Sequence, residues 1–114
     1  MLVYKILTVD EQAQLARDDV FAGSAADLAD GFVHLSTGAQ VAGTAEKHFA
    51  DRGPLVIAAC EVGALGEALK WEPSRGGALF PHLYRPLTGT DIVWIRPLRR
   101  DADGAFRLPG DAEA

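Results

Sequence analysis

A single cysteine, Cys60, among 114 residues leaves no partner for an internal disulfide. Its setting in Leu55-Val56-Ile57-Ala58-Ala59-Cys60 predicts a thiol inside a core strand rather than a reactive thiolate, which fits a cytoplasmic protein. Apolar runs stop far short of the ~20 residues a membrane helix needs, so no membrane partner is expected. Met1-Leu2-Val3-Tyr4-Lys5-Ile6-Leu7 gives way at once to Asp10 and Glu11, so no secretory signal is expected either. Basic residues are in deficit, 11 against 16 acidic ones, and the net charge of −5 argues against general affinity for nucleic-acid backbone; no DNA partner is expected. Three histidines and one cysteine, with no Cys-x-x-Cys and no His pair four apart, predict no metal site. There is no Gly-x-Gly-x-x-Gly after a strand, no phosphate loop ending in Lys-Ser/Thr and no Gly-x-Ser-x-Gly elbow, and several enzyme classes go with them.

What is present is the make-up of one folded domain: 48% hydrophobic and 24% charged residues in a length that supports one core. The expected extent is residues 1–108, with 109–114 a disordered tail. Charge is uneven along the chain. Lys70, Arg75, Arg85, Arg96, Arg99 and Arg100 outnumber Glu67, Glu72 and Asp91, whereas the flanking segments are acidic. A basic segment inside an acidic domain suits an anion pocket, and a solvated surface is the competing account.

Residues 3–7 have strand composition, and Thr8 followed by Glu11 is a capping box that opens a helix through about Arg17. A Gly/Ser/Ala/Asp stretch, 23–30, reads as a loop before the short strand Phe32-Val33-His34-Leu35. Val41, Thr44, Ala45, His48 and Phe49 fall at helical spacing, predicting a helix over 38–50 capped by Ser36 or Thr37. Residues 55–62 read as a central strand, 69–72 and 91–96 as further strands, and 73–78 as a glycine loop running into 79–84. The class is α+β in a single compact domain.

Polar and aromatic groups concentrate at strand ends: His34 and Ser36, then Trp71, Glu72, Ser74, Arg75, His82 and Tyr84. Alternation places His34 with Ser36 and His82 with Tyr84, so converging faces would form one polar cleft. Arg75 on its glycine loop suits a phosphate-bearing or nucleotide ligand, and Tyr or Trp a stacked ring. Each has a plainer account: His34 and His48 as structural histidines, Ser36 and Thr37 as caps, Arg75 pinned to Glu72, Trp71 and Trp94 as core.

Two stretches carry a resemblance: Asp30-Gly31-Phe32-Val33-His34-Leu35-Ser36-Thr37 with Gln40-Val41, and Leu69-Lys70-Trp71-Glu72 followed by Arg75-Gly76-Gly77-Ala78-Leu79-Phe80-Pro81-His82-Leu83-Tyr84-Arg85-Pro86-Leu87. With them the chain closely resembles a small bacterial family, domain of unknown function nine-fifty-two, from about Val3 to about Pro97. Its His-Leu-Ser element is similar to that of NAD-using RNA 2′-phosphotransferases. The resemblance implies an ADP-ribosyltransferase-like fold, a split mixed β-sheet with two or three helices around a dinucleotide cleft. It implies NAD as cofactor and transfer or hydrolysis of ADP-ribose, with His34, Glu72 and Tyr84 as catalytic candidates. Tyr4, Lys5, Ser36, Thr37, Trp71, Ser74, Arg75 and His82 would join His34 in binding. Lys5 stands where relatives often carry His, and Ala78 where they often carry an acid. The alternative reading is a catalytically silent ligand-binding or protein-interaction domain.

Overall fold

The apolar run Leu55-Val56-Ile57-Ala58-Ala59-Cys60 has no polar face to offer water, and it runs through the middle of the main sheet. The computed structural model describes residues 1–109, apart from the side chain of Arg75. Of the predicted tail, 109–114, residues 110–114 lie outside the described residues. Strand β1 (Leu2–Thr8) runs into helix α1 (Val9–Asp18), then β2 (Val20–Phe21), α2 (Ala25–Asp30), β3 (Val33–His34), β4 (Ser36–Thr37) and α3 (Gly38–Phe49). Then follow β5 (Leu55–Glu61), α4 (Val62–Leu65), β6 (Leu69–Pro73), β7 (Leu79–Leu83), β8 (Leu87–Thr88), β9 (Ile92–Arg100) and β10 (Phe106–Arg107).

The strands form a five-stranded sheet in the order β10-β9-β5-β1-β4, a two-stranded pair β2-β8 and a three-stranded sheet β3-β7-β6. The sheet is split, as expected. Every pairing between described strands is antiparallel, so the expected mixed sheet is corrected to an antiparallel one, and the helices number four rather than two or three. The reason is connectivity: no crossover returns a described strand parallel to its neighbour, and β1 and β5, far apart in the chain, pair antiparallel along all seven residues of β1.

Alternation along β1 sorts two cores. Val3 and Leu7 pack with Phe21, Val33, Leu35, Ala58, Cys60 and Leu83 on one face, while Tyr4 and Ile6 pack with Val41, Ala45, Ile57, Ala59 and Leu98 on the other. Lys5 shares the face of Val3 and Leu7. β4 covers only part of its neighbour: Thr37 opposes Val3 and Ser36 opposes Tyr4, and the β1 edge from Lys5 onward has no described strand beside it. There the sheet opens between the helices.

Cys60 is fully buried, and burial pushes its thiol up to about 12, with Asp91 adding to the effect against Arg85. The native thiol is therefore expected to stay silent toward an aromatic disulfide reagent at pH 8 and to react fully once urea unfolds the chain. Rapid native labelling would remove Cys60 from the core.

Candidate functional site

The first eight residues after β2 place the centre of the site. Ser24 accepts from the backbone N–H of Asp27 (3.2 Å), and the Asp27 carboxylate accepts from the N–H of Ser24 (2.9 Å), a capping box that starts α2 in what the sequence suggests is loop. Gly23 belongs to that turn: a Cβ there would stand 2.6 Å from the Cβ of Asp27. At the far end Gly31, at φ 86°, lets the chain leave α2 for β3.

Asp27 is 2% exposed and collects four donors. Oδ2 accepts from Lys5 Nζ (2.9 Å) and the Ser24 N–H; Oδ1 accepts from the backbone N–H of His34 (3.0 Å) and faces His34 Nδ1 at 2.6 Å. A carboxylate has about four acceptor sites, so none is left for a ligand. Burial alone pushes the Asp27 pKa up, but the His34 hydrogen bond, the Lys5 charge and the two backbone N–H groups outweigh it and hold the carboxyl well below the usual range. Lys5, 4% exposed, also donates to the carbonyl of His34 (3.3 Å). The other ring nitrogen of His34, Nε2, faces Oδ2 of the half-exposed Asp30 at 2.9 Å.

β3 and β7 pair in register, so His34 stands directly opposite His82, with ring centroids 5.7 Å apart. His82 Nδ1 faces Glu72 Oε1 (2.8 Å), which also accepts from the Tyr84 hydroxyl (2.7 Å). The hydrogen bonds from Tyr84 and then His82 lower the Glu72 pKa, and the same contact to Glu72 raises that of Tyr84. Phe32 stacks on His82 at 4.0 Å and touches the rings of His34 and Tyr84, which fixes the imidazoles from above.

A cleft of about 410 Å³ opens where β4 stops short, of a size that suits a small molecule. Of the residues predicted from sequence, Lys5, His34, Ser36, Ser74 and His82 line it. Ser36 donates to Thr44 Oγ1 across the cleft wall (3.3 Å). Others stand elsewhere. Tyr4 points to the opposite face of β1, is 1% exposed and packs on Trp94 at 6.0 Å, so it is a core residue. Thr37 opens α3, its N–H donating to Gln40 Oε1 (3.0 Å). Trp71 pairs with Pro81 on the sheet face opposite Lys70 and Glu72 and lies outside the cleft, 38% exposed; period-two alternation separates it from its neighbours. Glu72 and Tyr84 support His82 from behind and are not among the cleft-lining residues. The side chain of Arg75 lies outside the described residues, so its expected grip on phosphate and its pairing with Glu72 do too.

Sequence reasoning passed over Asp27, Asp30, Thr44 and Arg52, all of which line the cleft, and took His48, which lines it as well, for a purely structural histidine. Two signals were legible: Ser24 and Asp27 stand at capping-box spacing, and Asp30 precedes His34 by four. No group of three or more His, Cys, Asp or Glu among the described residues is arranged to hold a metal. No helix among them is long and apolar enough to cross a membrane.

The family described as "Protein of unknown function (DUF952)" matches residues 6–95. The X-ray structure of protein CC0527 from Caulobacter crescentus is 51% identical, with 95% of each chain covered and a TM-score of 0.87. A double methionine variant of it gives 50% identity, the same coverage and 0.87. The solution NMR structure of CC0527 gives 52% identity over 91% of this chain and 90% of that one, with a TM-score of 0.80. No curated protein matches the chain.

Proposed function

The chain belongs to this DUF952 family of proteins of unknown function, and from that premise and the cleft we propose that it binds a nucleotide or another phosphate-bearing small molecule. The observation that carries the reading is the histidine held from behind: Asp27 fixes His34 through Nδ1, and Nε2 meets, among the described residues, the half-exposed Asp30 of the cleft lining. A ribose hydroxyl or a phosphate oxygen is the kind of group that exchanges places with Asp30. Lys5 and Arg52 contribute positive charge to the walls, and Phe49 and Phe80 contribute apolar area for a base or pyridine ring.

NAD is the candidate ligand, and transfer or hydrolysis of its ADP-ribose the candidate reaction. Cleavage at the nicotinamide ribose proceeds through an oxocarbenium-like state, which a nearby carboxylate stabilises. Asp30, beside His34, has acceptor capacity to spare; Asp27 has none. That saturation of Asp27 favours the second reading, a module that keeps the cleft and binds without turnover.

Thermal-shift and ligand-detected NMR titrations with NAD, ADP-ribose, nicotinamide and inorganic phosphate test the reading. The wild-type protein is expected to respond to NAD and ADP-ribose, and His34→Ala to lose at least about tenfold in affinity, the loss of one charge-assisted hydrogen bond. No response of the wild type to any of the four would sink it.

A further inference from the structure

The cleft holds more acid–base machinery than glycosidic cleavage uses. His34 and His82 face each other across the β3–β7 pairing with ring centroids 5.7 Å apart, both rings line the cleft, and each is anchored through Nδ1 by its own carboxylate, Asp27 at 2.6 Å and Glu72 at 2.8 Å. Anchoring at Nδ1 aims Nε2 at a reacting group. The two rings differ in their second nitrogen. Carboxylate oxygens only accept, so His34, bonded to Asp27 and Asp30, satisfies both contacts when both nitrogens carry a proton. His82 meets a carboxylate at Nδ1 alone, so a single proton, on Nδ1, satisfies that contact, and Nε2, with no partner among the described residues, is then a lone pair.

A proton donor beside a proton acceptor is the arrangement that cleavage expelling an alkoxide demands. Whether breaking a bond in a nucleotide calls for a general acid depends on what leaves. Nicotinamide leaves a ribose as a neutral molecule, and an anhydride releases a stabilised phosphate; neither needs a general acid. A phosphodiester releases a ribose alkoxide and does.

We infer that His82 and His34 form a general base and general acid for hydrolysis of a ribose phosphodiester bound in this cleft. The inference rests on the proposed nucleotide site and specifies its reaction. His82 Nε2 takes a proton from water as the water oxygen forms a bond to phosphorus. The bond from phosphorus to the ribose oxygen breaks, its electron pair stays on that oxygen, and the proton of His34 Nε2 passes to it. Water is consumed, a phosphomonoester with a free ribose hydroxyl is released, and solvent exchange returns each imidazole to its starting state. Asp30, half exposed, swings away as the leaving oxygen takes its place on His34.

Two probes with different leaving groups test the pair: 2′,3′-cyclic AMP, which expels an alkoxide, and bis(p-nitrophenyl) phosphate, which expels a phenolate stable without a proton. Binding of AMP is followed alongside by thermal shift. The wild type is expected to hydrolyse both. His34→Ala should lose about 10²–10⁴-fold in kcat on the cyclic nucleotide and much less on the aryl diester, whereas His82→Ala should lose comparably on both. His34→Asn and His82→Asn, closer in shape, repeat the comparison, and each variant's unfolding midpoint confirms that it is folded. Binding of AMP without any hydrolysis by the wild type overturns the inference and leaves the nucleotide site standing. Absence of both binding and hydrolysis overturns both, and equal losses on the two probes for His34→Ala overturn its role as acid.

Discussion

Asp27→Ala is expected to lower the free energy of unfolding by about 3–5 kcal/mol, because it strands the buried Lys5 ammonium without its counter-charge. It also leaves the N–H groups of Ser24 and His34 without their acceptor and removes the box that starts α2. Against a total of ~5–15 kcal/mol for an ordinary domain, that is a large share, and urea denaturation would read it directly. A loss below about 1 kcal/mol would mean that Lys5 finds water in place of the carboxylate. The double variant Lys5→Met with Asp27→Asn should recover much of the loss, since it removes both charges and keeps an acceptor for the backbone.

The same group sets a pH dependence whose sign is fixed. The Asp27 pKa is lower in the folded chain than its ordinary value of 3.8, so folding favours the ionised form. Its contribution is fully present above the ordinary value and drains away as the pH falls through and below it. Stability of the wild type should therefore fall with acid below about pH 4, and Asp27→Asn should flatten that part of the curve.

Tyr4→Ala is expected to cost about 3–5 kcal/mol while Tyr4→Phe costs under about 1.5, the difference between emptying a packed aromatic site and trimming one hydroxyl. The ring is 1% exposed among Ile6, Val41, Ala45 and Ile57, with Trp94 at 6.0 Å, and no part of it lines the cleft. Tyr4→Phe should consequently bind NAD as the wild type does, measured by the same thermal-shift titration. Lost binding in a Tyr4→Phe protein of native stability would return the residue to the site.

That pair, Tyr4 and Lys5, marks where sequence was informative and where it ran out. Adjacent residues in a strand face opposite sides, which alternation alone dictates. Both sides carry core, and which of the two residues would reach the cleft depended on α2, β3 and β7 arriving from elsewhere in the chain. Local signals served well: Thr8 and Glu11 do form a capping box, residues 55–62 do contain the central strand, and α3 runs over Gly38–Phe49. His34 and His82 were legible as one constellation because both sit in short strands, and pairing brings them together. Asp27 was not legible as part of the site, since its capping-box spacing with Ser24 speaks only of a helix start, and its partners Lys5, 22 positions earlier, and His34 reach it through the fold. The two-residue strands β2 and β8 carry no periodicity at all; they exist because their backbones meet.

The shortness of β4 has a consequence beyond the cleft it creates. A strand edge left unpaired from Lys5 onward is a template on which another chain's strand could lengthen the sheet, the first step toward aggregation. Here the edge carries an inward lysine locked to Asp27, the kind of inward-pointing charge that blunts an open edge against a second strand. The groups that hold His34 in place are thus also the charged pair beside which an intruding strand would have to lie.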